Sequence, residues 1–163
     1  MAEPVSGRDP NSRRGRPRSF DEQQVLQQVQ DAFWAGGFEG TSIEDLTGAT
    51  GLNRPSLYDA FGDKHALYIR ALQQYREATQ EAGRRILEEA PTLRAGLEDL
   101  YRAAIRIYMG DEEGRGCFIS STAPPEAMRD SSVRRELSAT NDGLDEIFEA
   151  RIARAQAEGE VCI

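Results

Sequence analysis

Four of the six residues from 13 to 18 are arginines, in the order Arg-Arg-Gly-Arg-Pro-Arg. A guanidinium group is permanently charged and binds phosphate through paired hydrogen bonds. An extended Arg-Gly-Arg-Pro unit is also narrow enough for the minor groove of DNA, where arginines respond to groove width and A·T content. The segment therefore predicts contact with nucleic acid. A solubilising basic tail is the alternative interpretation, and the elements that follow must decide between the two.

The charge of this segment differs from that of the rest of the chain. Residues 1–18 hold five arginines and two acids, a net charge of +3, whereas the 163-residue chain has a formal net charge of −8. The segment also contains three prolines and two glycines but almost no large apolar side chains. Such a composition cannot bury enough surface to offset the entropy lost on ordering. We therefore predict a disordered basic arm over residues 1–18.

Helical patterns begin directly after the arm. Ser19 and Glu22 have the spacing of a capping box, and the helix that follows should end at Gly36-Gly37. Its apolar positions recur at helical spacing, at Val25, Leu26, Val29, Ala32 and Phe33.

Two short helices then follow with a tight turn between them. Thr41 and Glu44 form a second capping-box pattern, which predicts a helix from Ser42 to about Ala49. Asn53 is the predicted N-cap of a third helix, Arg54 to Phe61. This spacing is typical of a helix-turn-helix, whose second helix enters the major groove of DNA. An ordinary helical hairpin is the alternative, since residues 19–70 carry eight acids and only three bases.

The run FEGTSIEDLTGATGLNRPSLYDAFGDKHALY, residues 38–68, resembles the N-terminal domain of the TetR family of transcriptional regulators. The similar features are the Gly-Thr pair before the second helix, the Ala-x-Gly turn, the SLYDAF recognition helix and the DKHALY opening of the fourth helix. Ala60 stands where many members of the family have histidine. That difference leaves the fold intact and weakens the case for local phosphate contacts.

The resemblance implies an all-α fold in two parts. A three-helix helix-turn-helix domain, residues 19–66, would be joined through a long fourth helix to a helical ligand-binding and dimerisation domain, residues 67–163. Asp63 should cap that fourth helix and Pro91 should end it. The function implied is sequence-specific binding of double-stranded DNA by a transcriptional regulator, a repressor that a small ligand releases from an inverted-repeat operator.

The resemblance also implies roles for individual residues. Arg54 and Ser56 should read base edges, while Thr41 and Lys64 should contact backbone phosphates at helix N-termini. The basic arm should supply the positive charge that the helix-turn-helix lacks, by tracking the adjacent minor groove. The complete set of expected DNA contacts is Arg16, Arg18, Thr41, Ser42, Arg54, Pro55, Ser56, Tyr58 and Lys64.

The apolar pattern in the second half of the chain predicts further helices. An apolar stripe predicts a helix over 93–108, closed by Gly110. The short apolar segment CFISSTA should be stopped by Pro124-Pro125, and a long final helix is predicted from Val133 to Ala157.

In the TetR family, a domain of this kind holds a ligand pocket. Residues that combine bulk with a few polar tips are candidates for its lining, although core packing accounts for each of them equally well. They would favour a small apolar or aromatic effector. The candidates are Tyr75, Tyr101, Ile105, Tyr108, Met109 and Phe118.

Other classes of protein receive less support. The sequence has no nucleophile–base–acid constellation, no glycine-rich phosphate loop and no metal-ligand cluster, so we expect neither an enzyme nor a bound cofactor. Cys117 could sense oxidants or electrophiles, although a lone cysteine in an apolar run is more often a small buried side chain. A protein-interaction module with a degenerate helix-turn-helix remains the second alternative.

The ends of the chain add two expectations. No apolar run is long enough to span a membrane and the N-terminus has no signal-peptide pattern, so we expect a cytoplasmic protein. TetR-like regulators dimerise chiefly through two further C-terminal helices, whereas this sequence stops at Ile163. We therefore expect these 163 residues to be a fragment of a longer regulator that is a homodimer.

Overall fold

The computed structural model describes residues 20–110 and 114–161, so the predicted basic arm lies outside the described residues. Within them the chain forms seven α-helices and no strands, which confirms the all-α prediction. The helices are α1 (Glu22–Gly40), α2 (Ile43–Thr50), α3 (Arg54–Phe61), α4 (Lys64–Glu89), α5 (Leu93–Tyr108), α6 (Phe118–Ala127) and α7 (Ser131–Ala157). No described helix combines the length and the apolar character needed to cross a membrane.

Helix α1 begins at a different cap from the predicted one. The carboxylate of Asp21 accepts hydrogen bonds from the amides of Gln23 and Gln24, at 2.9 and 3.4 Å. Glu22 is therefore the first helical residue and not the third, and Asp21 is the N-cap in place of the predicted Ser19. Ser19 itself lies outside the described residues.

The regular part of α1 is interrupted where the sequence predicts its end. Gly37 has φ 68° and ψ 178°, a backbone conformation that residues with a Cβ rarely adopt. One further turn carries the chain to Gly40 before α2 begins. This kink sets the direction in which the helix-turn-helix leaves α1.

Replacing Gly37 by alanine should therefore destabilise the protein. We expect Gly37→Ala to lower the free energy of unfolding by about 1–3 kcal/mol, the cost of forcing a Cβ into that conformation. The matched control is Gly40→Ala in the same helix, where φ is not positive and an added Cβ would meet no atom within 4 Å. Urea denaturation of both variants measures the difference. Equal free energies of unfolding for Gly37→Ala and Gly40→Ala would show that alanine adopts the Gly37 conformation without strain.

One core joins the helix-turn-helix to the rest of the molecule. Val29 and Phe33 of α1, Leu46 of α2 and Leu57 of α3 are fully buried together with Tyr68 of α4. The rings of Phe33 and Tyr68 lie 5.0 Å apart in an edge-to-face arrangement. Because α1 and α4 also pack on α6, the helix-turn-helix half and the second half share this core.

The hydroxyl of Tyr68 ties α4 to α6. It donates a hydrogen bond of 2.9 Å to the hydroxyl oxygen of Thr122, which is itself buried. Burial raises the pKa of Tyr68 to about 12, so the group remains a neutral donor at physiological pH.

Helices α4, α5 and α7 end where the sequence predicts, but α6 does not. Pro124 and Pro125 were expected to stop the helix, and they lie inside it, in its last turn. Because proline has no backbone N–H, each of the two removes one helical hydrogen bond. Helix α6 ends at Ala127. The helix therefore continues through both prolines and ends two residues after Pro125.

A hydrogen bond links the first turn of α4 to the residue that caps α7. His65 Nε2 lies 2.6 Å from a carboxylate oxygen of Asp130, the N-cap of α7. The other carboxylate oxygen accepts the amides of Ser132 and Val133. The hydroxyl and amide of Ser132, with the Val133 amide and His65, hold the pKa of Asp130 well below its usual range.

This depressed pKa predicts how stability depends on pH. A carboxylate with a lowered pKa in the folded state stabilises above its unfolded pKa of about 3.9, and that contribution is lost as pH falls towards the folded value. Asparagine also caps helices but does not titrate. We therefore expect the loss of melting temperature caused by Asp130→Asn to shrink progressively below about pH 4. Asp145→Asn, an exposed change on the same helix, is the control, and a difference that stays constant from pH 2 to 7 would contradict the assignment.

Candidate nucleic-acid interface and ligand cavity

Helix α2 begins with a reciprocal capping box one residue later than predicted. The Ser42 hydroxyl accepts the amide of Asp45 at 3.1 Å, and the Asp45 carboxylate accepts the amide of Ser42 at 2.8 Å. The hydrogen bonds from Ser42, led by its backbone amide, lower the pKa of Asp45. The prediction that Thr41 and Glu44 form the box is therefore wrong.

Thr41 instead fastens α2 to α1. This residue is only 2% exposed, and its hydroxyl donates a 2.7 Å hydrogen bond to the carbonyl of Gly37. A Cβ on Gly36 would come within 2.7 Å of that hydroxyl, so glycine makes the close approach possible. The hydroxyl is thus engaged with α1, and the phosphate contact that we expect of Thr41 stays a prediction. Ser42 beside it is exposed.

Helix α3 has the bounds that the sequence predicts. The side chain of Asn53 caps it by accepting the amide of Ser56 at 2.9 Å, and Gly62 ends it. Leu57 and Phe61 are buried against the core, as expected from their spacing. The opposite face therefore points outward, with Arg54, Pro55 and Asp59 exposed and Ser56 and Tyr58 half-buried.

Arg54 is positioned by its neighbour one turn along the same helix. Its guanidinium carbon lies 5.2 Å from the centre of the Tyr58 ring, within the range of a cation–π interaction. The tyrosine thus supports an exposed arginine at the start of α3. An arginine held there can present its paired N–H groups to a base edge or a phosphate.

A groove of about 560 Å³ runs between α2 and the start of α3. Glu44, Thr47 and Asn53 line it together with Arg54. Thr47 and Asn53 were not among the residues expected from the sequence. Thr47 directly follows the buried Leu46 in α2. This position in the helix was an indication in the sequence that Thr47 would border the groove.

Lys64 is the first residue of α4 and lies over the end of α1. Its Nζ is 4.6 Å from the centre of the Phe38 ring, and Asp63 caps α4 by accepting the amide of Ala66 at 2.8 Å. The amides at a helix N-terminus favour an anion, so this lysine is well placed for a phosphate. Arg16 and Arg18, the expected minor-groove residues, lie outside the described residues.

The surface around α2 and α3 is predominantly acidic. Arg54 and Lys64 are accompanied by five exposed acids: Glu39, Glu44, Asp45, Asp59 and Asp63. Such a surface attracts the phosphate backbone only weakly. Any strong attraction to DNA must draw on positive charge elsewhere in the chain.

A cavity of about 560 Å³ lies between α1, α4, α5 and α7. Three of the expected ligand-contacting residues line it, namely Tyr75, Tyr101 and Tyr108. The others do not. Ile105 and Met109, 58% and 66% exposed, lie outside the cavity, and Phe118 is fully buried in the core.

One wall of the cavity comes from α1, which the sequence did not indicate as a ligand-contacting helix. Gln27, Gln30 and Trp34 contribute this wall, at spacings of three and four residues. That spacing places them on one helical face, beside the apolar core face. The pattern was visible in the sequence, but the partner of that face was not.

Cys117 is the N-cap residue of α6 and lies half-buried next to the cavity residue Tyr75. The Tyr75 hydroxyl donates to its sulfur at 3.7 Å, and burial raises the pKa of this tyrosine. Burial also opposes ionisation of the Cys117 thiol, but hydrogen bonds from Ser120, Tyr75 and the Ile119 amide outweigh it and lower the thiol pKa. Among the described residues, no cluster of histidine, cysteine and acidic side chains could hold a metal ion.

Comparisons with known proteins agree with this geometry. The family model for bacterial regulatory proteins of the tetR family matches residues 31–71. The chain is 32% identical over 147 residues to the HTH-type transcriptional repressor BdcR of Escherichia coli (strain K12), covering 87% of this chain and 73% of that protein. It is 29% identical to the uncharacterized HTH-type transcriptional regulator YezE of Bacillus subtilis (strain 168), covering 90% and 76%.

A solved structure extends the comparison to three dimensions. It is a cysteine mutant of the TetR family transcriptional regulator CifR in complex with 26-base-pair double-strand operator DNA. The TM-score is 0.77 at 37% sequence identity, and the match covers 90% of this chain and 77% of that one.

Proposed function

This chain belongs to the TetR family of transcriptional regulators, and from that premise we propose that it is a repressor released from its operator by a small ligand. It is a DNA-binding transcriptional regulator. The observation that carries the proposal is the α2–α3 helix-turn-helix, whose outward face presents Arg54 supported by Tyr58. The operator complex of CifR, at 37% identity, supports the same use of the fold.

In the proposed complex, α3 enters the major groove of double-stranded DNA. Arg54 contacts a guanine with two hydrogen bonds, which discriminates between bases by about 1–3 kcal/mol. Pro55 lies against a thymine methyl group, and Ser56 and Tyr58 contact a base edge or phosphate. Lys64 contacts the backbone at the N-terminus of α4.

The basic arm supplies the remaining positive charge. Arg16 and Arg18 immediately precede the helical domain in the sequence, so they can follow the minor groove beside the major groove that α3 occupies. Their contribution offsets the acidic surface around α2 and α3. Most of the affinity that does not depend on sequence then comes from the arm.

The proposed assembly is a homodimer on an inverted repeat. A single short recognition helix with few basic contacts selects a site poorly, and two-fold symmetry supplies a second half-site about 34–36 Å away or a multiple of that distance. The protein would act in the cytoplasm, where a bacterial regulator meets its operator.

The proposed effector is a small apolar or aromatic compound bound in the cavity between α1, α4, α5 and α7. Tyr75, Tyr101 and Tyr108 provide ring surfaces with polar tips, and several alanines provide space. A ligand that binds the cavity more tightly when the protein is free lowers the affinity for DNA by the same factor.

Selection from a randomised pool of duplex DNA tests the proposal. We expect repeated rounds of binding by the proposed homodimer to enrich one motif with inverted-repeat symmetry. Enrichment of no motif by a protein with an intact helical circular dichroism spectrum would overturn it. That outcome would favour a protein-interaction module with a degenerate helix-turn-helix, which the acidic surface around α3 would suit.

A further inference from the structure

Trp34 belongs to the DNA-reading half of the molecule but lies at the centre of its junction with the second half. Its ring packs edge-to-face on Tyr75 of α4, with centroids 5.4 Å apart, and lies 5.6 Å from Phe118 of α6. The side chain is half-buried, and it also lines the cavity. One residue of α1 therefore touches α4, α6 and the empty space between the helices.

Polar contacts hold the same residue to the segment before α6. The indole Nε1 donates a 3.0 Å hydrogen bond to the carbonyl of Arg115. The guanidinium of Arg115 lies 5.5 Å from the centre of the indole ring and forms a 3.1 Å ion pair with Asp31 of α1. These three contacts fix the position of α1 relative to the start of α6.

The wall that α5 contributes to the cavity is held much less firmly. Gly96 is the only residue of α5 that is buried, and the outer face of the helix exposes the large apolar side chain of Ile105. Tyr101, Ala104 and Tyr108 line the cavity from this helix. An occupant would therefore lie between a loosely packed helix and the α1 wall formed by Gln27, Gln30 and Trp34.

A displacement of Trp34 would be transmitted directly to the DNA-reading surface. The preceding residue, Phe33, is fully buried in the core that also holds Leu46 of α2 and Leu57 of α3. Because that core is closely packed, α1 cannot shift without moving the helix-turn-helix or losing contacts to it.

We propose that Trp34 is both a ligand-contacting residue and the residue that couples the cavity to DNA binding. A molecule in the cavity displaces the indole from the Arg115 carbonyl and shifts α1, and with it α3. This inference rests on the proposed function, because it names the route by which the proposed effector acts. Couplings of this kind change affinity by about 5- to 150-fold.

A substitution that fills the cavity tests the coupling without an identified ligand. Ala104→Phe places a ring in the cavity from α5, whereas Ala153→Phe adds the same ring at an exposed site of α7 outside it. We expect Ala104→Phe to weaken binding to the selected duplex by about 5- to 150-fold and Ala153→Phe to leave it unchanged. Ala78→Phe, which enters the cavity from α4, serves if the first variant does not fold.

A double-mutant cycle assigns the coupling to Trp34. Trp34→Phe keeps a ring in the aromatic cluster but removes the donor to the Arg115 carbonyl and makes the side chain smaller. The loss of DNA affinity caused by Ala104→Phe should therefore shrink at least threefold in the Trp34→Phe background. An equal loss in both backgrounds, or no loss from either folded cavity-filling variant, overturns the inference.

The wild-type protein provides an independent readout, because Trp34 is its one tryptophan. N-phenyl-1-naphthylamine, an apolar fluorescent probe, should quench the emission of Trp34 and weaken binding to the selected duplex over the same concentration range. Binding of the probe with unchanged Trp34 emission overturns the inference. If no duplex is selected at all, the proposed function fails instead, and the two failures are thus distinguishable.

Discussion

Arg54→Ala is expected to bind the selected duplex about 5- to 150-fold more weakly for each half-site, the equivalent of the 1–3 kcal/mol that a paired arginine–guanine contact contributes. The loss of affinity should be specific to sequences with the preferred base pair, because Arg54 is exposed on the outward face of α3 and held by Tyr58. Binding-site selection with the variant should therefore lose its preference at one base pair in each half-site. Fluorescence anisotropy on matched and mismatched duplexes measures both effects.

Two comparisons make this prediction specific to the recognition helix. Arg102→Ala removes an arginine that is exposed on α5 and paired with Glu98 and Asp99, so it should leave DNA affinity unchanged. Lys64→Ala should weaken binding to all sequences about equally, because a phosphate contact carries no sequence information. If Arg54→Ala and the wild type select the same motif, Arg54 does not read bases.

Removal of residues 1–18 is the second change with a large expected effect. The arm has a net charge of +3, whereas residues 19–70 have eight acids and three bases, a net charge of −5. Each phosphate neutralised contributes about 0.9 to the slope of the logarithm of affinity against the logarithm of salt concentration. If Arg16 and Arg18 each neutralise one phosphate, the shortened chain should lose about 2 from that slope for each protomer bound, and it should bind every duplex more weakly.

The double variant Arg16→Lys, Arg18→Lys separates charge from shape. Lysine keeps the charge but lacks the flat guanidinium with its five donors. The dependence of affinity on salt concentration should therefore be unchanged, while the preference for a narrow A·T-rich minor groove declines. Unchanged affinity and an unchanged slope after deletion of the arm would show that it is only a tail.

Local chemistry explains why the bounds of α3 and α4 could be predicted. Asn53 and Asp63 each accept an amide within the first turn of the following helix, and Gly62 ends α3. Such caps depend on neighbours within a few residues, which the sequence displays directly.

The start of α2 shows where local chemistry is insufficient. Thr41 and Ser42 are both good N-caps, and each has an acidic residue three positions later. Packing decides between them, because the Thr41 side chain fits over Gly36 and donates to a carbonyl of α1. That choice depends on the path of α1 beyond Gly37 and could not be read from the residues around position 41.

The residues that line the cavity between α1, α4, α5 and α7 were predicted only in part, for a similar reason. The spacing of apolar residues in α5 identifies a helical face but not its partner, and so Ile105 and Met109 were grouped with the tyrosines that do line the cavity. The α1 wall depends on contacts between residues that are more than 40 positions apart, such as Trp34 with Tyr75.

Methylation interference on the selected duplex is the most direct test of the central claim that α3 reads DNA in the major groove. Dimethyl sulfate modifies N7 of guanine in the major groove and N3 of adenine in the minor groove. The account predicts that guanine methylation blocks binding at symmetric positions in both half-sites, and that Arg54→Ala removes the interference at one guanine in each. Binding that is insensitive to guanine methylation throughout the site would contradict it.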